Sequence, residues 1–78
     1  MDYTVEAINK IVGYKTWSDK KKLDKLLFMD CRLYANLGTD SSLKEKEEVR
    51  KISRRIYTAI KKVKPTMGED FLRLMDKN

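Results

Sequence analysis

The chain has 78 residues, 38% charged and 41% hydrophobic, with a formal net charge of +6; it is apolar enough to fold as one small domain and too apolar for a wholly disordered chain. One cysteine and no histidine exclude an internal disulfide and a cysteine-based zinc site, and remove the usual participants in acid–base chemistry at neutral pH. No apolar run approaches the ~20 residues a membrane span needs and no secretory leader opens the chain, so a soluble protein of a reducing compartment, the cytoplasm, is expected, with acidic partners favoured and no membrane.

The first element is a short helix that runs to Val12 and is capped by Asp2 or Thr4. Val5, Ile8 and Val12 make its stripe, with Ile11 at the flank, and Gly13 is expected to end it in the left-handed conformation. A helix this short does not hold in isolation, so it must dock on something. Tyr14 to Trp17 is a connector. Trp17 either folds back near Lys22 and Leu23 as a hydrophobic staple or offers a ring for base stacking.

A longer helix runs from Asp19 to Leu37, with Leu23, Leu26, Leu27, Leu33, Tyr34 and Leu37 as its apolar face. Lys20, Lys21, Lys22 and Lys25 crowd its first turns, where cations oppose the helix dipole; they serve an anion contact or are ordinary surface lysines. Asp30 falls in the middle of the apolar face and must find a partner or stay partly wet. In an antiparallel hairpin around Gly38 it faces Val49 to Ser53, which makes Ser53 or Arg50 its partner. Asp30 and Ser53 are therefore a predicted buried polar pair with a structural role, because a lone acid makes a poor catalytic site. Phe28 and Met29 lie off the stripe and need cover from the terminal helices or a second subunit. Cys31, at the stripe edge, reads as a small buried hydrophobe; the alternative, a reactive thiol, has no histidine to activate it.

Gly38 to Ser42 is a turn, in which Gly38 ends one helix and Asp40, Ser41 or Ser42 caps the next. The longest helical pattern follows, from Ser42 to Lys64. At about 100° per residue, Val49, Ile52, Ile56, Ile60 and Val63 fall within roughly 80° of one another. Arg50, Lys51, Arg54, Arg55, Lys61 and Lys62 fall on the opposite side. Ser42 and Glu45 form a capping box, and acids at the start and lysines at the end suit the dipole. Between Arg50 and Lys64 there are seven basic residues and no acid. They form a candidate anion or nucleic-acid face, or the solvated back of a helix. Tyr57 stands at the edge of that face; with Phe28 and Met29 it makes a candidate protein interface, or it packs beside the terminal helix. Pro65 stops the helix. Thr66 and Glu69 then make a second capping box for a short closing helix with Phe71, Leu72, Leu74 and Met75 on its apolar face.

No Gly-rich phosphate loop, metal-ligand cluster or nucleophile beside a base occurs, so the expectation is no catalysis, no cofactor and no metal. A helix-turn-helix fits poorly. The helix after Gly38 would turn Glu45, Glu47 and Glu48 towards DNA, and the connector Gly13 to Ser18 is longer than the usual three or four or so residues.

The stretches LYANLGTDSSLKEKEEVRKISRRIY and GEDFLRLMD resemble small proteins of unassigned function from T4-like phages of marine bacteria. The matching pattern is Leu33-Tyr34, Leu37-Gly38 with Asp40-Ser41, and Ser53-Arg54 with Ile56-Tyr57, within residues 30 to 76. The resemblance implies a phage accessory protein used in particle assembly or in redirecting a host protein, and it carries no active-site residues over. The residues themselves predict an all-α domain of two long antiparallel helices in a hairpin, with a short helix packed at each end. The expected function is non-catalytic binding, to a protein partner or to itself. The alternative is non-specific nucleic-acid binding through the basic face.

Overall fold

The computed structural model describes residues 3–38 and 40–76, and there the chain is all-α, with four helices and no strand among the described residues. They are α1 (Val5–Gly13), α2 (Asp19–Ala35), α3 (Leu43–Val63) and α4 (Pro65–Asp76). The first three begin alike. A hydroxyl-bearing residue in extended conformation precedes each helix, and its oxygen accepts an otherwise unpaired amide three residues on: Thr4 from Ala7, Ser18 from Lys21 and Ser42 from Glu45. The other cap considered for α1, Asp2, lies outside the described residues, as does Thr39 of the α2–α3 connector.

α4 starts differently from the prediction. Pro65 pushes Lys64 out of the helical region (φ −141°, ψ 94°) and itself occupies the first helical position, so one residue separates α3 from α4. The Lys64 carbonyl accepts the Gly68 amide. Thr66 is therefore already inside the helix, and the expected Thr66–Glu69 cap is corrected. The glycine terminators are corrected too, since no described glycine has a positive φ. α1 ends because Tyr14 turns extended, and α2 ends at Asn36, two residues before Gly38.

α1, α2 and α4 all rest on α3, and α1 also meets α2; α4 approaches no helix but α3 among the described residues. The core joins Ile8 and Ile11 of α1, Leu23, Leu26, Met29 and Leu33 of α2, and Val49, Ile56, Ala59 and Ile60 of α3. Burying side chains such as Leu26, Ile56 and Ile60 contributes about 1.5–3 kcal/mol each. α4 adds only Gly68 and Met75 to the buried set. It runs back along α3, with Gly68 on Lys61, Phe71 on Tyr57 and Asp76 beside Arg54. The close approach at Gly68 requires the missing side chain, because a Cβ there would overlap the Lys61 backbone.

On α2 the buried arc is turned roughly 45° from the predicted stripe, towards Met29. α2 packs on both α1 and α3, and the second neighbour covers residues that one partner would leave open. Met29 is 1% exposed, so of its two expected sources of cover the chain itself supplies it, and its place in a candidate protein interface is corrected. Cys31 lies on the far side of the same helix and is exposed, which corrects its reading as a buried hydrophobe. No helix among the described residues is long and apolar enough to cross a membrane.

Candidate binding site: two gaps beside the central helix

The backbones of α2 and α4 both lie on α3 without approaching each other, and so do those of α4 and α1. Each pair leaves a gap whose floor is an edge of α3, and the two gaps differ in chemistry.

The α2–α4 gap is an open groove of about 820 Å³. Tyr34 and the following Leu37 stand on one side, Phe71 and Leu74 on the other, and Leu43, Lys46, Glu47 and Arg50 run along α3. Tyr57 and Phe71 stack at its base, ring centroids 5.0 Å apart and planes 15° apart. Six large hydrophobic residues are exposed among the described residues, and three of them, Tyr34, Leu43 and Leu74, line this groove.

Under the groove lies the network around Asp30. Of the two partners predicted for this carboxylate, Ser53 meets it: the fully buried Ser53 hydroxyl donates to Asp30 Oδ1 at 2.7 Å. Arg50 points elsewhere and donates to the Met75 carbonyl at the end of α4. The partner not foreseen is Tyr57, whose hydroxyl donates to Asp30 Oδ2 at 2.7 Å. Burial, opposed by the Ser53 hydroxyl and reinforced by the Asp30 carboxylate, pushes the Tyr57 phenol up to about 12. The carboxylate is half-buried and carries two charge-assisted bonds, an arrangement that fixes a register and offers no free acid for chemistry.

The α4–α1 gap is a shallow furrow made of two adjoining cavities of about 330 and 280 Å³, both lined by Lys51, Arg54 and Arg55. Arg50 and Met75 close one end, and Val5, Asn9 and Lys62 the other. The six predicted basic residues thus divide among separate tasks. Arg50, Arg54 and Lys61 reach α4, through the Met75 carbonyl, Asp76 and Glu69 respectively. Lys62 donates to Asn9 of α1, and Lys51 pairs with Glu48 on its own helix. Arg55 has no ion pair among the described residues. Exposed pairs of this kind hold about 0.2–1 kcal/mol each, so they order the side chains without neutralising the surface.

Phe28, Met29 and Tyr57 are not brought together. Phe28 is 51% exposed on the outer face of α2 with Lys25 over its ring, Met29 is in the core, and Tyr57 is at the base of the groove. Trp17 is half-buried, packs on Tyr14 and carries Lys21 4.5 Å above its ring. Two of the lysines that crowd the start of α2 are therefore seated on aromatic faces. Among the described residues, no three of His, Cys, Asp and Glu cluster as a metal site.

No protein-family model, no curated protein and no solved structure matches the chain.

Proposed function

We propose that the protein is a non-catalytic binding module whose α2–α4 groove receives an amphipathic helix of a partner protein. The observation that carries this reading is the concentration of exposed Tyr34, Leu43 and Leu74 around the Tyr57–Phe71 stack, on a chain that otherwise keeps its apolar residues covered or scattered. Two helices resting on a third with an open space between them leave the position of one more helix. An amphipathic helix laid into an apolar groove is a recurrent recognition mode. Charge selects the partner's polar face. Lys46 and Arg50 flank the groove against the single acid Glu47, and the whole chain is +6, so the complement is an acidic helix.

The finer architecture of this reading is a hairpin of antiparallel α2 and α3 with a short helix packed at each end. The bonds from Ser53 and Tyr57 to Asp30 and the short α2–α3 connector support it. The resemblance to proteins of marine T4-like phages supports an accessory role in the host cytoplasm, in particle assembly or in redirecting a host protein.

The test uses two synthetic amphipathic helices with one apolar face, one carrying an acidic polar face and the other a basic one. Fluorescence anisotropy should show binding of the acidic peptide only, abolished by Leu43→Asp with Leu74→Asp. Both side chains are largely exposed, so the fold tolerates the change. Absence of binding by either peptide, or binding unaffected by the double variant, overturns the assignment.

A further inference from the structure

We infer that the α4–α1 furrow is a separate site, for the phosphate backbone of duplex nucleic acid, bound without regard to sequence. The furrow collects Lys51, Arg54, Arg55 and Lys62 along one edge of α3, with Arg50 at its end. From Lys51 to Lys62 the helix rises about 16 Å, which covers about five base-pair steps of a duplex. That length suits contact with about four phosphates by these four cations. Arginine and lysine that reach phosphates set position and carry no sequence information.

What the furrow lacks among its described lining decides between duplex and single strand. Proteins that hold single strands combine a basic track with aromatic platforms on which bases stack. The seven rings of this chain are placed elsewhere: Tyr57, Phe71 and Tyr34 belong to the groove, Tyr14 and Trp17 to the α1–α2 connector, Phe28 to the outer face of α2, and Tyr3 packs partly buried against the core. The furrow offers Val5, Ile8 and Asn9 between its cations, which leaves nothing for an unpaired base to stack on. Glu48, paired with Lys51, closes the track towards the start of α3, where Glu47 and Glu45 follow. The site is therefore short, and its affinity depends on salt.

One cation is held in reserve. Arg54 donates to Asp76 of α4 at 2.7 Å, and both side chains are more than half exposed. A phosphate competes with that carboxylate for the same guanidinium. Removing the carboxylate's charge should strengthen binding, a gain that a damaged fold cannot imitate. Arg55, which has no ion pair among the described residues, is the cleaner position for a loss, because reversing Arg54 also loosens α4.

The experiment is an anisotropy titration of labelled random-sequence duplex and single-stranded DNA of equal length, at low and near-physiological salt, with circular dichroism on every variant. Duplex should bind more tightly than single strand, with a log–log salt slope near −3.6 for about four phosphates. Arg55→Glu should weaken binding about tenfold or more and reduce the slope by about one. Asp76→Asn should tighten it about two- to fivefold. Four outcomes overturn the inference: no duplex binding at low salt, tighter binding of the single strand, Asp76→Asn that gains nothing, or equal displacement of duplex by an acidic peptide at matched charge. The Leu43→Asp, Leu74→Asp variant should keep duplex binding, so failure of the groove assignment and failure of this one are read separately.

Discussion

The groove and the furrow share a floor helix and a wall helix and still present opposite chemistry. On the α2 side, α3 shows Tyr57, and the stacked Phe71 and exposed Leu43 and Leu74 make an apolar trough. On the α1 side, about a quarter of a turn further round, α3 shows Lys51, Arg54 and Arg55. The difference teaches that the sides of a single helix become separate surfaces once its neighbours fail to meet. It also shows where one change reaches both surfaces. The α1–α2–α3 side holds nearly all of the buried apolar residues, whereas α4, the wall common to both gaps, rests on α3 through the Gly68 contact, buried Met75, the Phe71–Tyr57 stack, partly buried Met67 and polar ties.

The largest effect should therefore come from the shared wall. A Cβ at residue 68 meets the Lys61 backbone, which cannot swing aside as a flexible side chain could. Gly68→Ala gains about 1 kcal/mol in helix propensity but should still lose about 3 kcal/mol net, because α4 must lift off α3 and both gaps lose their wall. Chemical denaturation of the two proteins checks this. A variant as stable as the parent would mean that α4 shifts freely and that the gaps are not fixed by this contact.

The next effects separate the two gaps. The floor of the groove is tied by side-chain hydrogen bonds between α2 and α3. Asp30→Ala strands the fully buried Ser53 hydroxyl and frees the Tyr57 hydroxyl, and should lower stability by about 2 kcal/mol. Asp30→Asn keeps an acceptor and should cost less; equal melting temperatures for Asp30→Ala and the parent would show that the network holds nothing. Tyr57→Phe should cost about 1 kcal/mol, with a distinct pH signature. The folded phenol titrates near 12 and the unfolded one near 10, so the unfolded state loses its proton first. The stabilisation is complete below pH 10 and falls as pH rises towards 12. The phenylalanine variant should lack that fall, and a slope identical to the parent's would remove Tyr57 as its source.

The helices were legible because their caps are local: Thr4, Ser18 and Ser42 mark three starts, and Pro65 marks the α3–α4 boundary. The Asp30–Ser53 bond was legible because a short connector sets the register of two neighbouring helices. Periodicity did not show that Tyr57 shares the carboxylate, because it records where a side chain starts and not how far a phenol reaches. Nor did it show Met29 inside and Cys31 outside, because α2 packs on two neighbours and a single stripe assumes one. The groove was the least legible feature. It exists because α2 and α4 do not approach each other, a relation between distant segments. The one local hint was Leu43, an apolar residue on the first turn of α3 outside its stripe. The basic face was visible in outline, but its division between ties to α4, a tie to α1 and an open furrow required the fold.

The smallest stability effects give the sharpest test of the comparison. Leu43, Leu74 and Arg55 are all exposed, so Leu43→Asp with Leu74→Asp, and separately Arg55→Glu, should each change stability by no more than about 0.5 kcal/mol. Stability being equal, any difference between them reports on the surfaces alone. The leucine variant should lose the acidic helix and keep the duplex; the arginine variant should lose the duplex and keep the helix. The two effects should also respond differently to salt. Burial of apolar side chains in the groove persists as salt screens the charges that select the acidic helix, so its binding should fall less steeply than the phosphate contacts in the furrow, which weaken as counterions compete. If instead both variants weakened both ligands in parallel, with the same salt dependence, the two gaps would act as one continuous anionic-partner surface joined through Arg50 and Met75, the residues that line both.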